Sequence, residues 1–143
     1  MGGGTWGFQR ISGFEELDFR SLYAFDSERA VIANAGSPAY ILTTDDGGKS
    51  WKTVYTNNHK DAFFDGIDFW DKKNGLIYGD PIDGKMLLLR TRDGGLTWTP
   101  TKEPPLLETG EASFAASGTG IRCTNQRFVA ICKFMNMSLS DVQ

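Results

Sequence analysis

Residues that commonly build metal and disulfide sites are scarce in this sequence. Its 143 residues include one histidine and two cysteines, Cys123 and Cys132. These residues lack the further ligands that a zinc site needs. The spacing of the two cysteines permits a disulfide but does not require one, and two separate thiols in or beside a strand is the simpler interpretation. We therefore expect no metal and no cofactor.

Long apolar runs and clusters of positive charge are also missing. No stretch approaches the ~18 apolar residues of a membrane span, and no signal peptide precedes the first predicted strand. Lysine and arginine are scattered and the formal net charge is −3, so nucleic-acid binding is not expected. The glycine-rich stretches follow strands but open no helix, which argues against a dinucleotide-binding oxidoreductase.

The chain does contain two copies of one eight-residue pattern, which we call the octet. The copies are Thr44-Asp45-Asp46-Gly47-Gly48-Lys49-Ser50-Trp51 and Thr91-Arg92-Asp93-Gly94-Gly95-Leu96-Thr97-Trp98, and a partial copy, Gly2-Gly3-Gly4-Thr5-Trp6, opens the chain. Each full copy places an aspartate before two glycines. Glycine supplies the positive φ of tight turns, and the carboxylate accepts backbone N–H groups. Both octets therefore predict a turn between two strands, with the tryptophan starting the second strand.

The octet resembles the Asp box, or BNR repeat, of β-propellers. The resemblance implies that each box joins the third and fourth strands of a blade. It assigns a structural role to Thr44, Asp46, Gly48, Ser50, Trp51, Thr91, Asp93, Gly95, Thr97 and Trp98. The less favoured alternative is that Asp45, Asp46 and Asp93 are catalytic carboxylates or calcium ligands. Local hydrogen bonding is the first explanation for aspartates in turns.

Repeat length points to the same architecture. Trp6, Trp51 and Trp98 lie 45 and 47 residues apart, which is typical of four-stranded propeller blades. We predict an all-β fold, a partial β-propeller with two complete four-stranded antiparallel blades and incomplete flanking blades. Because a propeller ring needs about four or more blades, we expect a fragment of a longer protein. Its open blade faces would favour self-association.

The predicted boundaries follow the repeat. Residues 1–16 end a preceding blade, residues 17–56 form blade one, residues 57–111 form blade two with its links, residues 112–132 begin a third blade, and residues 133–143 form an irregular tail. The predicted strands are Phe19–Phe25, Ala30–Asn34, Ala39–Thr44, Trp51–Tyr55, Gly66–Trp70, Gly75–Gly79, Met86–Thr91, Trp98–Thr101 and Ala112–Ser117, with a further strand near residues 127–131.

Longer segments resemble one group of propellers, the proteins similar to the photosystem II stability and assembly factor. The segments are residues 17–20, 62–70, 79–84 and 110–119. The resemblance implies a six- to eight-bladed parent, frequently exported to the periplasm or the cell exterior. Members are often labelled oxidoreductase or glycosyl hydrolase, but the resemblance supplies no proven reaction.

A binding site is expected on the face that carries the inter-blade connections. That face offers His59, Asp61, Asp80, Asp83, Glu108 and Glu111. If the chain has carboxylate chemistry, Asp80, Asp83 and Glu111 are the catalytic candidates. The plainer interpretation is that these acids solvate loops and cap turns.

Two functions fit these observations. The favoured one is a non-catalytic scaffold that binds a protein partner or a small ligand on the connection face. The alternative is a sialidase-like glycoside hydrolase whose catalytic residues lie mostly outside this chain. A sialidase needs an arginine cluster for the substrate carboxylate, and the arginines at positions 20, 29, 90 and 92 do not recur at equivalent inner positions.

Overall fold

The computed structural model describes residues 4–5, 7–104, 106, 120–124, 128–131 and 135–138, the last two ranges as backbone strands. These residues form eleven β-strands and no helix, which confirms the predicted all-β fold. In the part of the chain so described, no helical segment is long and apolar enough to cross a membrane.

The strands form three antiparallel sheets. The first contains β1 (Phe19–Ala24), β2 (Ala30–Asn34), β3 (Ala39–Thr44) and β4 (Lys52–Asn57). The second contains β5 (Phe64–Phe69), β6 (Gly75–Ile82), β7 (Lys85–Thr91) and β8 (Thr99–Pro100). The third contains β9 (Ile121–Thr124), β10 (Phe128–Ile131) and β11 (Met135–Ser138), in the order β11-β10-β9. In the first two sheets each strand pairs with the next in sequence, as in a propeller blade.

Strands β5, β6 and β7 are buried over most of their length because the second sheet lies between the first and the third. Val31 and Ile41 of the first sheet share a buried cluster with Phe64 and Ile77 of the second. The Phe69 ring lies 4.7 Å from the centroids of both Tyr23 and Phe25. A second buried cluster joins the second and third sheets through Leu76, Tyr78, Met86, Leu88 and Ile121. The sheets therefore stack face to face as successive blades.

Asn34 shows how the sequence builds one blade turn. Its buried side-chain amide donates to the carbonyls of Gly36 (3.1 Å) and Pro38 (3.0 Å), and its Oδ1 accepts from the N–H of Tyr40 (2.5 Å). One side chain thus satisfies two carbonyl groups of the β2–β3 turn and one N–H group of β3, as asparagine often does in loops.

Hydrogen bonds between turns define two faces of the molecule. The N–H of Gly47, in the first octet, donates to Glu28 in the β1–β2 turn (2.9 Å), and Gly94 repeats this contact with Lys73 in the second sheet (2.8 Å). At the other end, the Ser37 hydroxyl donates to the His59 carbonyl in the inter-sheet link (2.8 Å). We call these ends the octet face and the connection face.

The predicted boundaries need correction at the octets. The tryptophans do not start strands, since β4 begins at Lys52 and β8 at Thr99. Trp98 instead closes its turn, its indole N–H donating to the Gly95 carbonyl (3.1 Å). The connection between the strands predicted at Gly75–Gly79 and Met86–Thr91 is shorter than expected, because β6 extends to Ile82, β7 begins at Lys85, and only Asp83 and Gly84 remain in the turn.

The sequence predicts an irregular tail over residues 133–143, but part of this segment is a strand. Met135–Ser138 forms β11, which pairs with β10 in register from Ile131↔Met135 to Phe128↔Ser138. The segment Met-Asn-Met-Ser alternates apolar and polar residues, which is a weak strand signal over four residues, and the edge of β10 supplies the backbone partners. The predicted strand Ala112–Ser117 lies outside the described residues.

Candidate functional site

The first octet is held by a closed set of hydrogen bonds. Asp46 Oδ1 accepts from the Thr44 hydroxyl (2.8 Å) and from the Ser50 N–H (2.9 Å), and Oδ2 accepts from the Ser50 hydroxyl (2.6 Å). The Gly48 N–H donates to the Thr44 hydroxyl oxygen (2.9 Å). The hydrogen bonds from Ser50, followed by that from Thr44, lower the pKa of Asp46 to about 2.

The second octet repeats this network at the same distances. Asp93 accepts from Thr91 (2.8 Å) and twice from Thr97 (2.9 and 2.6 Å), and the Gly95 N–H donates to Thr91 (2.9 Å). Burial acts to raise the pKa of Asp93, but the hydrogen bonds from Thr97 and Thr91 outweigh it and lower the value. Both carboxylates are therefore engaged within their own turns, as turn-forming aspartates are.

A pocket of about 460 Å³ lies on the connection face. Its walls come from the β2–β3 turn (Gly36, Ser37), the link between the sheets (residues 60–63) and the end of β6 (Asp80, Pro81). Two successive structural repeats thus contribute to one concavity. It lies between the loops of neighbouring blades. The lining includes charged residues at Lys60, Asp61 and Asp80.

Gly79 explains why the link approaches β6 so closely. A Cβ at this position would lie 1.8 Å from the Phe63 carbonyl oxygen, so only glycine fits. The same oxygen accepts a hydrogen bond from the Asp80 N–H (3.1 Å). The β5–β6 register shifts between Phe64 and Gly66, and the β6–β7 register shifts between Gly79 and Pro81. β-Bulges of this kind redirect side chains and often lie beside active sites.

Asp65 is the residue of this region that the sequence did not single out. It falls at the irregularity in β5, is 3% exposed, and has no hydrogen-bond partner for either carboxylate oxygen among the described residues. Burial, followed by the negative charge of Asp80, raises its pKa to about 7. Perturbed carboxylates of this kind cluster at functional sites. The available signal was the presence of two acids, Asp65 and Asp68, in a strand that is otherwise apolar.

Asp68, the second acid of β5, is also buried, but both of its carboxylate oxygens accept hydrogen bonds. Its Oδ1 accepts from the N–H of Phe69 (2.9 Å) and its Oδ2 from the N–H of Cys123 in β9 (2.7 Å). Burial, followed by the Asp68 charge, raises the pKa of the free Cys123 thiol to about 12. Asp68 therefore joins two sheets, whereas Asp65 has no such partner.

The acids predicted for the connection face are dispersed. Asp80 and Asp61 line the pocket, and Asp61 is paired with Lys60 (2.5 Å). Asp83 is exposed at φ 53° and forms the two-residue β6–β7 turn with Gly84, as a type I′ hairpin requires.

His59 is half-exposed in the link, with its Nδ1 3.9 Å from Asp61. Glu108 and Glu111 lie outside the described residues. A catalytic role for Asp80, Asp83 or Glu111 therefore stays a prediction.

Comparison with known proteins supports the fold. No protein-family model and no curated protein matches the chain. A solved structure described as "YCF48 bound to D1 peptide" matches with a TM-score of 0.61 and 19% sequence identity, over 86% of this chain and 36% of that one. The assignment of the octets to the Asp-box family stays a prediction. With three stacked antiparallel sheets and this propeller neighbour, the chain has the fold of β-propeller blades.

Proposed function

We propose that the chain belongs to a non-catalytic propeller scaffold that binds a segment of a partner protein in the pocket on the connection face. The observation that carries the proposal is the pocket itself, which two successive repeats build and which Asp61 and Asp80 line. A pocket lined by Lys60, Asp61 and Asp80 offers charged partners to the polar side chains of a peptide segment.

The similar solved structure supports this proposal independently. That protein is described as bound to a D1 peptide, so a propeller of related fold holds a protein segment. The present chain spans 36% of that protein's length.

The D1 peptide is the first probe, with a displayed library of random peptides as the second. We expect at least one of these probes to bind the full 143-residue chain. Ser37 is exposed in the pocket wall, so Ser37→Trp fills the groove. This variant should weaken binding by about tenfold or more, measured by fluorescence anisotropy.

Ser27 provides a matched control. It is also an exposed serine, in the β1–β2 turn on the octet face, and Ser27→Trp should leave binding unchanged. Absence of binding by every probe, or equal loss in the two variants, would contradict the proposal. Turnover of sialosides or other glycosides by the chain would instead support the glycoside hydrolase alternative, which stays a prediction.

A further inference from the structure

The octet face carries different charges in the first two sheets, although its turns have the same backbone contacts. The N–H of Gly47 donates to the Glu28 carbonyl (2.9 Å) and that of Gly94 to the Lys73 carbonyl (2.8 Å), so Glu28 and Lys73 hold equivalent positions. By the same alignment, the second sheet has three exposed cations, Lys72, Lys73 and Arg92, where the first has Ser27, Glu28 and Asp45. Two acids and one neutral residue of the first repeat are thus cations in the second.

Arg29 adds a fourth cation from the neighbouring sheet. Its guanidinium lies over the Phe25 ring, 4.7 Å from the centroid, a cation–π contact that holds the group in place. A Cβ at Gly94 would lie 2.9 Å from a guanidinium nitrogen of Arg29 and 2.9 Å from the Lys72 carbonyl oxygen. Arg29 and the β5–β6 turn therefore meet at the second octet. We call Arg29, Lys72, Lys73 and Arg92 the basic patch.

The three exposed cations of the basic patch are not held in ion pairs. In the part of the chain that the structure describes, none of Lys72, Lys73 and Arg92 is in contact with a carboxylate. The first octet differs, because its exposed Asp45 lies 3.5 Å from the Lys52 ammonium. The cations of the second repeat are therefore available to an anionic partner.

The acids nearest to the patch have structural roles in their own turns. Asp26 accepts from the N–H groups of Glu28 (2.9 Å) and Arg29 (2.8 Å). Asp71 accepts in the same way from the N–H groups of Lys73 (2.7 Å) and Asn74 (2.8 Å). Because each repeat has one such acid at the same position, these acids do not offset the difference in charge between the repeats.

An exposed leucine lies in the same turn as Arg92. Leu96 is 59% exposed, and it stands where the first octet has Lys49. A partner that contacted the cations of the second repeat would therefore also meet one large apolar side chain.

We propose that the basic patch and Leu96 bind an acidic protein segment in which carboxylate side chains flank an apolar residue. Opposite charges across an interface speed association and select the partner, and arginine can bond both oxygens of one carboxylate. This surface goes beyond the peptide site proposed above, since the octet face and the connection face lie at opposite ends of the sheets.

A nucleic acid is the poorer partner. Nucleic-acid-binding domains are usually basic overall, whereas this chain has a formal net charge of −3. Asp26, Glu28 and Asp71 lie in the same turns as the cations and would repel a continuous phosphate backbone. A short segment with few carboxylates avoids this repulsion.

Two labelled peptides test the proposal, one containing Glu-Glu-Leu-Glu-Glu and the other its neutral counterpart Gln-Gln-Leu-Gln-Gln. We expect the full 143-residue chain to bind the acidic peptide about tenfold or more tightly than the neutral one in fluorescence anisotropy. The difference should shrink as salt is added, because these charges are exposed.

Lys73→Glu combined with Arg92→Asp gives the second repeat the charges of the first. This double variant should weaken binding of the acidic peptide by about tenfold or more. Lys85→Glu combined with Lys102→Glu is the matched control, since it changes the net charge equally at exposed positions away from the octets. The control should change binding by less than about twofold.

Leu96→Ser should weaken binding of the acidic peptide by about threefold, because it removes the apolar contact. Lys73→Gln combined with Arg92→Gln removes the two charges without adding acids, and it decides the question if the charge-reversed variant does not fold. Retained binding in a folded variant that lacks both cations would contradict the proposal.

Equal binding of the two peptides, or equal losses in the patch and control variants, would overturn the inference. Binding of a thymidine oligonucleotide as tightly as the acidic peptide would also overturn it, because the surface would then attract any polyanion. Ser37→Trp, in the pocket on the connection face, should leave binding of the acidic peptide unchanged. The proposed function and this second surface can therefore fail separately.

Discussion

Asp68 in β5 accepts a hydrogen bond from the backbone N–H of Cys123 in β9, 55 residues away, at 2.7 Å. This bond joins the inner strand of the second sheet to the first described strand of the third. Ile121 contacts the same strand, since a Cβ on Gly66 would lie 3.2 Å from its side chain. The Asp68 carboxylate therefore helps to hold β9 of the third sheet against β5.

Asp68→Ala should loosen β9 and expose the Cys123 thiol. Burial and the Asp68 charge both raise the pKa of that thiol, so the substitution favours the reactive thiolate in two ways. In a Cys132→Ser background, reaction with a chromogenic disulfide at pH 8 should accelerate by about tenfold or more. Asp45→Ala, an exposed position of the first octet, is the control. An unchanged rate would show that the bond does not hold β9.

Asp65→Asn should make stability less dependent on pH. The pKa of Asp65 is about 7 in the folded chain and 3.8 ordinarily. At pH values between these two, the folded state therefore binds more protons than the unfolded state. Stability from this group therefore falls as pH rises from about 4 to 7. With allowance for solvent screening, we expect the variant to gain about 1–3 kcal/mol relative to the native chain at pH 8 and little at pH 4.

Urea titrations at the two pH values measure this difference. A uniform gain or a uniform loss at both pH values would contradict the assignment of the raised pKa to Asp65.

Asp93→Ala should destabilise the second blade turn. The carboxylate accepts three hydrogen bonds from Thr91 and Thr97, and their loss should cost about 2 kcal/mol at pH 7. Because the pKa of Asp93 is lowered, this stabilisation is complete above its ordinary pKa and is lost as pH falls through the folded value. Urea unfolding at pH 7 and pH 3 tests this, with Arg92→Ala, at the exposed neighbouring position, as the control.

Gly79→Ala should disrupt the pocket as well as the sheet. The added methyl group would meet the Phe63 carbonyl oxygen at 1.8 Å, which forces the backbone apart and breaks the Asp80–Phe63 hydrogen bond. We expect a loss of about 3 kcal/mol or more in the free energy of unfolding. Gly7→Ala, where no atom lies within 4 Å of the added group, should be nearly neutral. Chemical denaturation of the two variants provides the comparison.

Several features of the fold follow from neighbouring residues and could be predicted. Strand Ala39–Thr44 and strand Ala30–Asn34 match the prediction residue for residue, because apolar β-formers there are bounded by clear turn residues. The strands predicted to begin at Trp51 and Trp98 begin one residue later, at Lys52 and Thr99. At the second of these, the indole of Trp98 bonds within its turn. β11 was missed because four residues without a turn signal carry too little pattern.

The amino-acid sequence alone determined the repeated turns and the four-stranded units, since each octet closes through hydrogen bonds between residues two to four positions apart. Only the tertiary structure decided which acids matter. Asp65 and Asp68 stand three positions apart on one strand, yet one is buried without a hydrogen bond among the described residues and the other bonds β9. Burial and charge depend on segments brought together by folding, and no local pattern specifies them.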